Sequence, residues 1–485
     1  MRDSRDIVAV GGPSRDLAYT IAVGIVALLP RLFVAIAWSR EPVWDGHYYH
    51  FGAQRIAEGL GYSEDVIVNG VAVWKPWCHY PVGYSAFLSG LYDVFGSSIL
   101  VAPVANAIVG ALTAAVAHRV ARYYLSEPRA RIAGAITALH PGLIAYSAVV
   151  MTEPLVAFLL LAAGLCALHW RGRWLGIVTA GIVVGVATLV RPASLLAAPL
   201  LMVTQPRPWW NVLRAGAIAT ALSVVVVVPW TIRNCRVMDG CAFVSTNAGW
   251  NLAIGALTDT GRFVALTSDD GCRVVTGQVQ QDRCWAKVGL ATIARDPVRW
   301  LSLIPKKLDQ TFSHESFAVE YMHEADARAW PEPRRAAGRG LLSLYHRLIL
   351  IAAALAMVGR LGFRSSYWWN LLTQGFLLGL VAALAIYGFT NEYHPFHWLA
   401  VAIPVMGFLP LPGRPWQGGV GYYLIGLVAA TALTHAVFFG DDRYHLVVTP
   451  VLCILAAGAL RATRDSDNIE GSRPAVSLAS QPSQE

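Results

Sequence analysis

The chain has 485 residues, of which 55% are hydrophobic and only 14% are Asp, Glu, Lys or Arg, against roughly 25% in an ordinary soluble domain. Too few charges are present to cover a water-facing surface, which excludes a conventional soluble enzyme, a disordered chain and a disulfide-dense small domain. The net charge of +8 comes mostly from basic residues in short loops between apolar runs. That placement signals membrane topology and contact with anionic headgroups rather than nucleic acid.

Twelve apolar runs approach the ~20 residues that cross a bilayer. They fall near 17–38, 98–118, 131–150, 152–170, 174–190, 192–205, 212–231, 341–359, 367–388, 395–411, 419–438 and 446–461. The expected fold is an all-α polytopic membrane protein of about twelve transmembrane helices, with two large outer-face loops carrying interfacial helices. In chain order this gives a cytoplasmic segment 1–16 and an N-terminal bundle 17–231 that contains a first outer loop, 39–97. A large outer loop 232–340, a C-terminal bundle 341–461 and a disordered cytoplasmic tail 462–485 follow. The first run is long, carries Arg31 and precedes no small-residue cleavage site, so it reads as a span rather than a signal peptide.

Orientation follows from the arginines. Arg2, Arg5 and Arg15 lie before the first span, and Arg119, Arg122, Arg129, Arg131, Arg171, Arg173, Arg207 and Arg214 occupy alternate loops. Arg360, Arg364, Arg414, Arg461 and Arg464 continue the series, which puts both ends inside. Arg334, Arg335 and Arg339 fall outside, at the end of a long loop where the rule has little force. Cys235 with Cys241, and Cys272 with Cys284, lie outside and could close two short loops in an oxidising compartment. Cys166 and Cys453 read as small apolar fillers within spans. No cysteine spacing or nearby histidine completes a zinc pattern.

Several polar residues gather on the outer face. Asp45, in Trp44-Asp45-Gly46-His47-Tyr48-Tyr49, follows the first span and is available as a general base; it is equally a candidate helix cap. Glu153, in Thr152-Glu153-Pro154, occupies the next outer turn, where a cap before a first-turn proline is the competing reading. Arg191-Pro192 sits in apolar surroundings, where an arginine either snorkels or grips a phosphate. His79-Tyr80-Pro81-Val82-Gly83-Tyr84 precedes an amphipathic stretch, 82–96, expected to lie along the membrane. Asn391-Glu392-Tyr393-His394 and Asp441-Asp442-Arg443-Tyr444-His445 also face outward. Asp296-Pro297 looks like a cap and first-turn proline. The helix after it carries Trp300, Leu301, Ile304 and Leu308 on one side, with Lys306 and Lys307 available to lipid phosphate.

In their order, these segments resemble bacterial GT-C-type glycosyltransferases that use polyprenyl-phosphate sugars, related to protein O-mannosyltransferases and the lipid A aminoarabinose transferase. The resemblance runs from about 17 to 461 and includes Pro229-Trp230-Thr231-Ile232-Arg233-Asn234 and Ser245-Thr246-Asn247-Ala248-Gly249-Trp250-Asn251-Leu252. It implies an inverting transfer at the outer face of the cell inner membrane, from a polyprenyl-phosphate sugar to a glycolipid, polysaccharide or protein of the cell envelope. Asp45 and Glu153 match the family's acids, with Asp45 as base. Arg191, Arg443, His79 and Tyr84 are grouped at the donor phosphate, although His79 stands where some relatives have a stronger base. No metal is expected to be obligatory, and a divalent cation remains possible between the acids. The partners implied are the lipid-linked donor, the acceptor and membrane lipid, with no nucleic acid. A lipid-sugar flippase and a non-catalytic envelope subunit are the alternatives. Either would leave Asp45 without a chemical task.

Overall fold

The computed structural model describes residues 13–206, 208–273, 277–359, 368–391, 394–409 and 419–460. The arginines at 2, 5, 207, 360, 364, 414, 461 and 464, the pair Glu392-Tyr393 and the tail 462–485 lie outside the described residues, as does the side chain of Arg15.

Five described helices are long and apolar enough to cross a membrane: Asp16–Ala37, Val101–Ala121, Trp209–Val237, Glu332–Val358 and Trp368–Thr390. The first presents Leu17, Ile21, Ile25, Leu29, Phe33 and Ile36 on one stripe, each 54 to 65% exposed. Such a run of bare apolar side chains is stable against hydrocarbon and not against water. The chain is therefore a multi-pass membrane protein. Seven further apolar segments are shorter, and one of them, Ala248–Leu257, lies within the large outer loop. The expectation of twelve full spans is thus met only in its coarse form.

The expected span 131–150 is broken. A helix Glu127–Ala138 stops, a five-residue helix Pro141–Ala145 follows, and a single 3-10 turn Tyr146–Ala148 completes the passage. Pro141 removes an amide donor and restricts the residue before it. The orphaned carbonyls are taken by Arg31. Its guanidinium donates to the carbonyls of Ala138 at 2.6 Å and Thr137 at 3.1 Å, and to Ala27 in its own helix at 2.8 Å. Arg31 is fully buried and neither snorkels nor faces the outer surface.

The two segments expected on the outer face, 39–97 and 232–340, contain folded elements. The first contains the helix Asp45–Ala57, an antiparallel hairpin Ser63–Val68 with Val71–Pro76, and the helix Val82–Phe95. The second contains the helices Ala248–Leu257, Gln278–Arg295, Pro297–Phe312 and Phe317–Ala325. Both disulfides, Cys235–Cys241 and Cys272–Cys284, are formed in this loop. Asp296 caps Pro297–Phe312 by accepting from the Arg299 amide at 2.9 Å. Lys307, expected near lipid phosphate, is instead buried and donates to the last carbonyls of the helix Gly419–Val437, at Ala436 and Val437. A cation at a helix C-terminus satisfies orphan carbonyls and complements the dipole.

Ion pairs occupy both ends of the bundle. At one end Asp16 pairs with Arg119 and Arg122, and Arg131 pairs with Glu127. At the other, the arginines that departed from the charge rule are matched locally: Arg335 and Arg339 pair with Glu320 and Glu332. Arg334 lies over the Trp330 ring at 3.9 Å.

Candidate active site

Asp45 begins its helix but does not cap it. The residue before it, Trp44, has φ of 50° and no capping side chain. Left-handed backbone is costly for an aromatic residue. Here it is held by packing of the Trp44 ring against Phe317 and Tyr321, with centroids 5.4 and 5.8 Å apart. Gly46 completes the turn. A Cβ there would sit 2.4 Å from the Tyr321 hydroxyl and 2.8 Å from the Val150 carbonyl. The outer-loop helix Phe317–Ala325 can dock this closely only because residue 46 has no side chain.

The turn delivers Asp45 to two donors. Tyr80 hydroxyl donates to Oδ1 at 2.7 Å, and Arg443 Nη1 donates to Oδ2 at 2.6 Å. Burial pushes the Asp45 carboxyl up, but the Arg443 charge and the two hydrogen bonds outweigh it, and the net pKa lies below the usual carboxylate value. Asp45 is therefore ionised at neutral pH. Burial pushes the neighbouring Asp441 up to about 6 despite Arg443 beside it.

A second ion pair lies next to the first. Glu153 is buried at the start of the helix Glu153–His169, and its Oε1 accepts from Arg191 Nη1 at 2.8 Å. The capping reading does not hold for its side chain, since Arg191 takes it. Tyr444 joins the pairs: Arg191 lies over its ring at 4.6 Å and Arg443 at 5.0 Å. The order in space is Asp45, Arg443, Tyr444, Arg191, Glu153. Two carboxylates, each bound to its own guanidinium, leave little net negative charge between them, which is a poor fit for a dication bridging the acids.

The remaining candidates are placed differently. His79 packs between Tyr80 and Trp250, and burial holds its pKa below the ordinary histidine value even with Asp45 nearby. It is neutral at pH 7, a weak partner for phosphate. Tyr84 is fully buried, and its hydroxyl donates to Asn106 at 3.0 Å; the structure commits it to the core. Asp442 accepts from the Ser316 amide and hydroxyl and from the Phe317 amide, and so anchors the outer loop. Tyr80 and Tyr444 were not assigned roles from the sequence. Both stand inside the segments that carried the resemblance, and only their contacts reveal what they hold.

One opening reaches the site and a second lies near it. One is lined by Arg191 and Tyr444 at its polar end and by Val156, Leu160, Leu427 and Val447 beyond. The other lies over the outer loop, between His47, Tyr48, Phe51, Glu64, Asp65 and Trp77. Tyr48 stacks on Tyr80 at 5.3 Å and on Trp77 at 5.8 Å, which connects this second opening to Asp45 through Tyr80.

Residues 79–232, covering Tyr80, Glu153 and Arg191, match the family described as dolichyl-phosphate-mannose-protein mannosyltransferase. The match supports a glycosyltransferase of the GT-C type. No curated protein sequence matches the chain. Among solved structures, the oligosaccharyltransferase of Archaeoglobus fulgidus tethered to an acceptor peptide aligns over 92% of this chain and 49% of its own, at 15% identity and a TM-score of 0.47. The same enzyme, AglB, with an inhibitory peptide and dolichol-phosphate gives 16% identity, 92% and 50% coverage and a TM-score of 0.46. ArnT of Cupriavidus metallidurans bound to undecaprenyl phosphate gives 16% identity, 90% and 78% coverage and 0.35. The chain spans about half the length of the archaeal enzyme.

Proposed function

We propose that the chain is an inverting glycosyltransferase that moves a sugar from a polyprenyl-phosphate donor to a cell-envelope acceptor, at the outer face of the inner membrane. The carrying observation is the pair of arginines stacked about Tyr444, one bound to Asp45 and one to Glu153, at the head of an apolar opening. A largely apolar opening lined by Arg191 and Tyr444, with Arg443 against the same Tyr444 ring, suits a phosphate on a long hydrocarbon chain. The aromatic opening over Tyr48 and Trp77 suits the acceptor, because sugar rings and amphipathic groups pack on aromatic faces. Both disulfides in the outer loop agree with an oxidising compartment.

In this scheme the donor phosphate draws Arg443 and Arg191 toward itself, which releases Asp45 Oδ2. The acceptor hydroxyl or amine attacks the anomeric carbon. Its proton passes to Asp45 as the new bond forms. The bond from the anomeric carbon to the phosphate oxygen breaks, and its electron pair leaves with polyprenyl phosphate. The two arginines stabilise the charge growing on that oxygen. A phosphate leaving group needs no general acid. Tyr80 holds Asp45 oriented through Oδ1, and Glu153 sets the position of Arg191.

The test is transfer of radiolabelled sugar from polyprenyl-phosphate donors in isolated membranes, wild type against Asp45→Ala. Labelled product in wild type and none in the variant is expected, and the product identifies the acceptor. Equal transfer by both would remove Asp45 from the mechanism.

A further inference from the structure

Behind the site lies a cluster that the proposed transfer does not use. Glu315, His346 and His445 are all fully buried. They come from three parts of the chain: the outer-loop turn between Pro297–Phe312 and Phe317–Ala325, the membrane helix Glu332–Val358, and the turn that carries Arg443. Their donor atoms lie within 4.8 Å of one another.

The hydrogen bonds fix which atoms face inward. His346 Nε2 lies 2.9 Å from the Phe312 carbonyl, and His445 Nδ1 lies 2.8 Å from the Thr311 carbonyl. A carbonyl only accepts, so each of these nitrogens carries the proton. The opposite nitrogens, His346 Nδ1 and His445 Nε2, therefore present lone pairs, and neither has a hydrogen-bond partner among the described residues. Both Glu315 oxygens are likewise without one. Glu315 Oε2 is 3.7 Å from His445 Nε2, too far for a hydrogen bond. Gly142 leaves room for the carboxylate, since a Cβ there would lie 1.8 Å from Glu315 Oε1.

Three acceptors converging in a dry space repel one another unless a proton or a metal cation stands among them. Each imidazole is oriented by donating its other N–H to a backbone carbonyl, the usual outer support of a metal-bound histidine. We propose that Glu315, His346 and His445 bind a divalent cation of zinc type, the ion that favours two imidazoles and a carboxylate. Tetrahedral zinc ligands lie about 3.3 Å apart, so the side chains draw inward when the ion enters, and a water fills the fourth position. The ion's role is to hold separate segments together. It ties the outer loop at Glu315 to the membrane helix at His346 and to the turn holding Arg443. Ser316, next to Glu315, is already held by Asp442 from that same turn. The ion thereby positions Arg443 against Asp45, and the inference stands whether or not the glycosyl transfer does.

The experiment uses the purified full chain in detergent, without a metal-binding tag, stripped by chelator and titrated with Zn(II) alone, then with Co(II) alone. Expected are one zinc per chain by elemental analysis, visible d–d bands with cobalt, and a melting temperature that rises on zinc addition. Glu315→Gln and His346→Asn should each weaken binding by more than the roughly 10- to 100-fold that loss of an outer partner costs. Absence of stoichiometric zinc and of cobalt bands in the wild type would overturn the proposal, even if neither variant folds. So would equal zinc in wild type and both variants, and Glu315 would then be a buried neutral acid only.

Discussion

Replacing Arg443 with methionine should do more than slow the enzyme. In the resting protein burial pushes the Asp45 carboxyl up, while Arg443 and the hydrogen bonds pull it down. At about 4 Å between charge centres and an effective dielectric near 20, the Arg443 attraction is about 4 kcal/mol. Asp45 is 22% exposed and Tyr80 still donates to it, so its pKa should rise by only part of what that attraction alone would give. The sign is fixed by the role. A base fails as pH falls through its pKa, so the acid limb of kcat/KM should move to higher pH. The stability that the depressed pKa contributes is present above the unfolded value, is lost as pH falls through the folded one, and should be missing in Arg443→Met. The assay is the pH profile of sugar transfer by purified protein, with melting curves across the same range. A lower rate with an unmoved acid limb would refute the coupling and leave Arg443 acting on phosphate alone.

Asp45→Asn should lower kcat roughly 10²- to 10⁴-fold while circular dichroism shows the helices retained; activity within a few-fold of wild type would dismiss it as the base. Gly46→Ala places a Cβ against the Tyr321 hydroxyl and should cost about 1–3 kcal/mol by overpacking, read as a lower melting temperature. Adding Tyr321→Phe should recover part of that loss, although the Val150 carbonyl stays in the way. Arg31→Met strips the carbonyls of Thr137 and Ala138 of their donor. At roughly 1–3 kcal/mol for each unsatisfied group, it should destabilise the bundle strongly without changing KM for the donor. Arg191→Met should raise KM for the lipid donor and release Glu153, whereas Lys307→Met should affect stability alone.

Some of this was legible along the chain and some was not, for physical reasons. Long apolar runs such as 17–38 and 212–231 declare membrane helices because a bilayer tests only length and polarity. Asp45, Glu153 and Arg191 stand out because charges are few on that side of the expected bundle, and Arg443 is added only by the family resemblance. Which acid meets which arginine does not show along the chain, since Asp45 and Arg443 are 398 positions apart and nothing local ties them. The break at 139–140 falls inside a run that reads as one span, and the donor that makes it tolerable, Arg31, comes from another helix. Lys307 reads as a surface charge in its own helix and becomes a buried cap only when the end of Gly419–Val437 arrives against it. The same holds for Glu315, His346 and His445. No spacing in the chain marks them as a ligand set, and the tertiary fold alone turns one side of each toward a common point. Sequence determined what the bilayer and the local backbone demand; packing between distant segments decided the charge pairs and the chemistry they can perform.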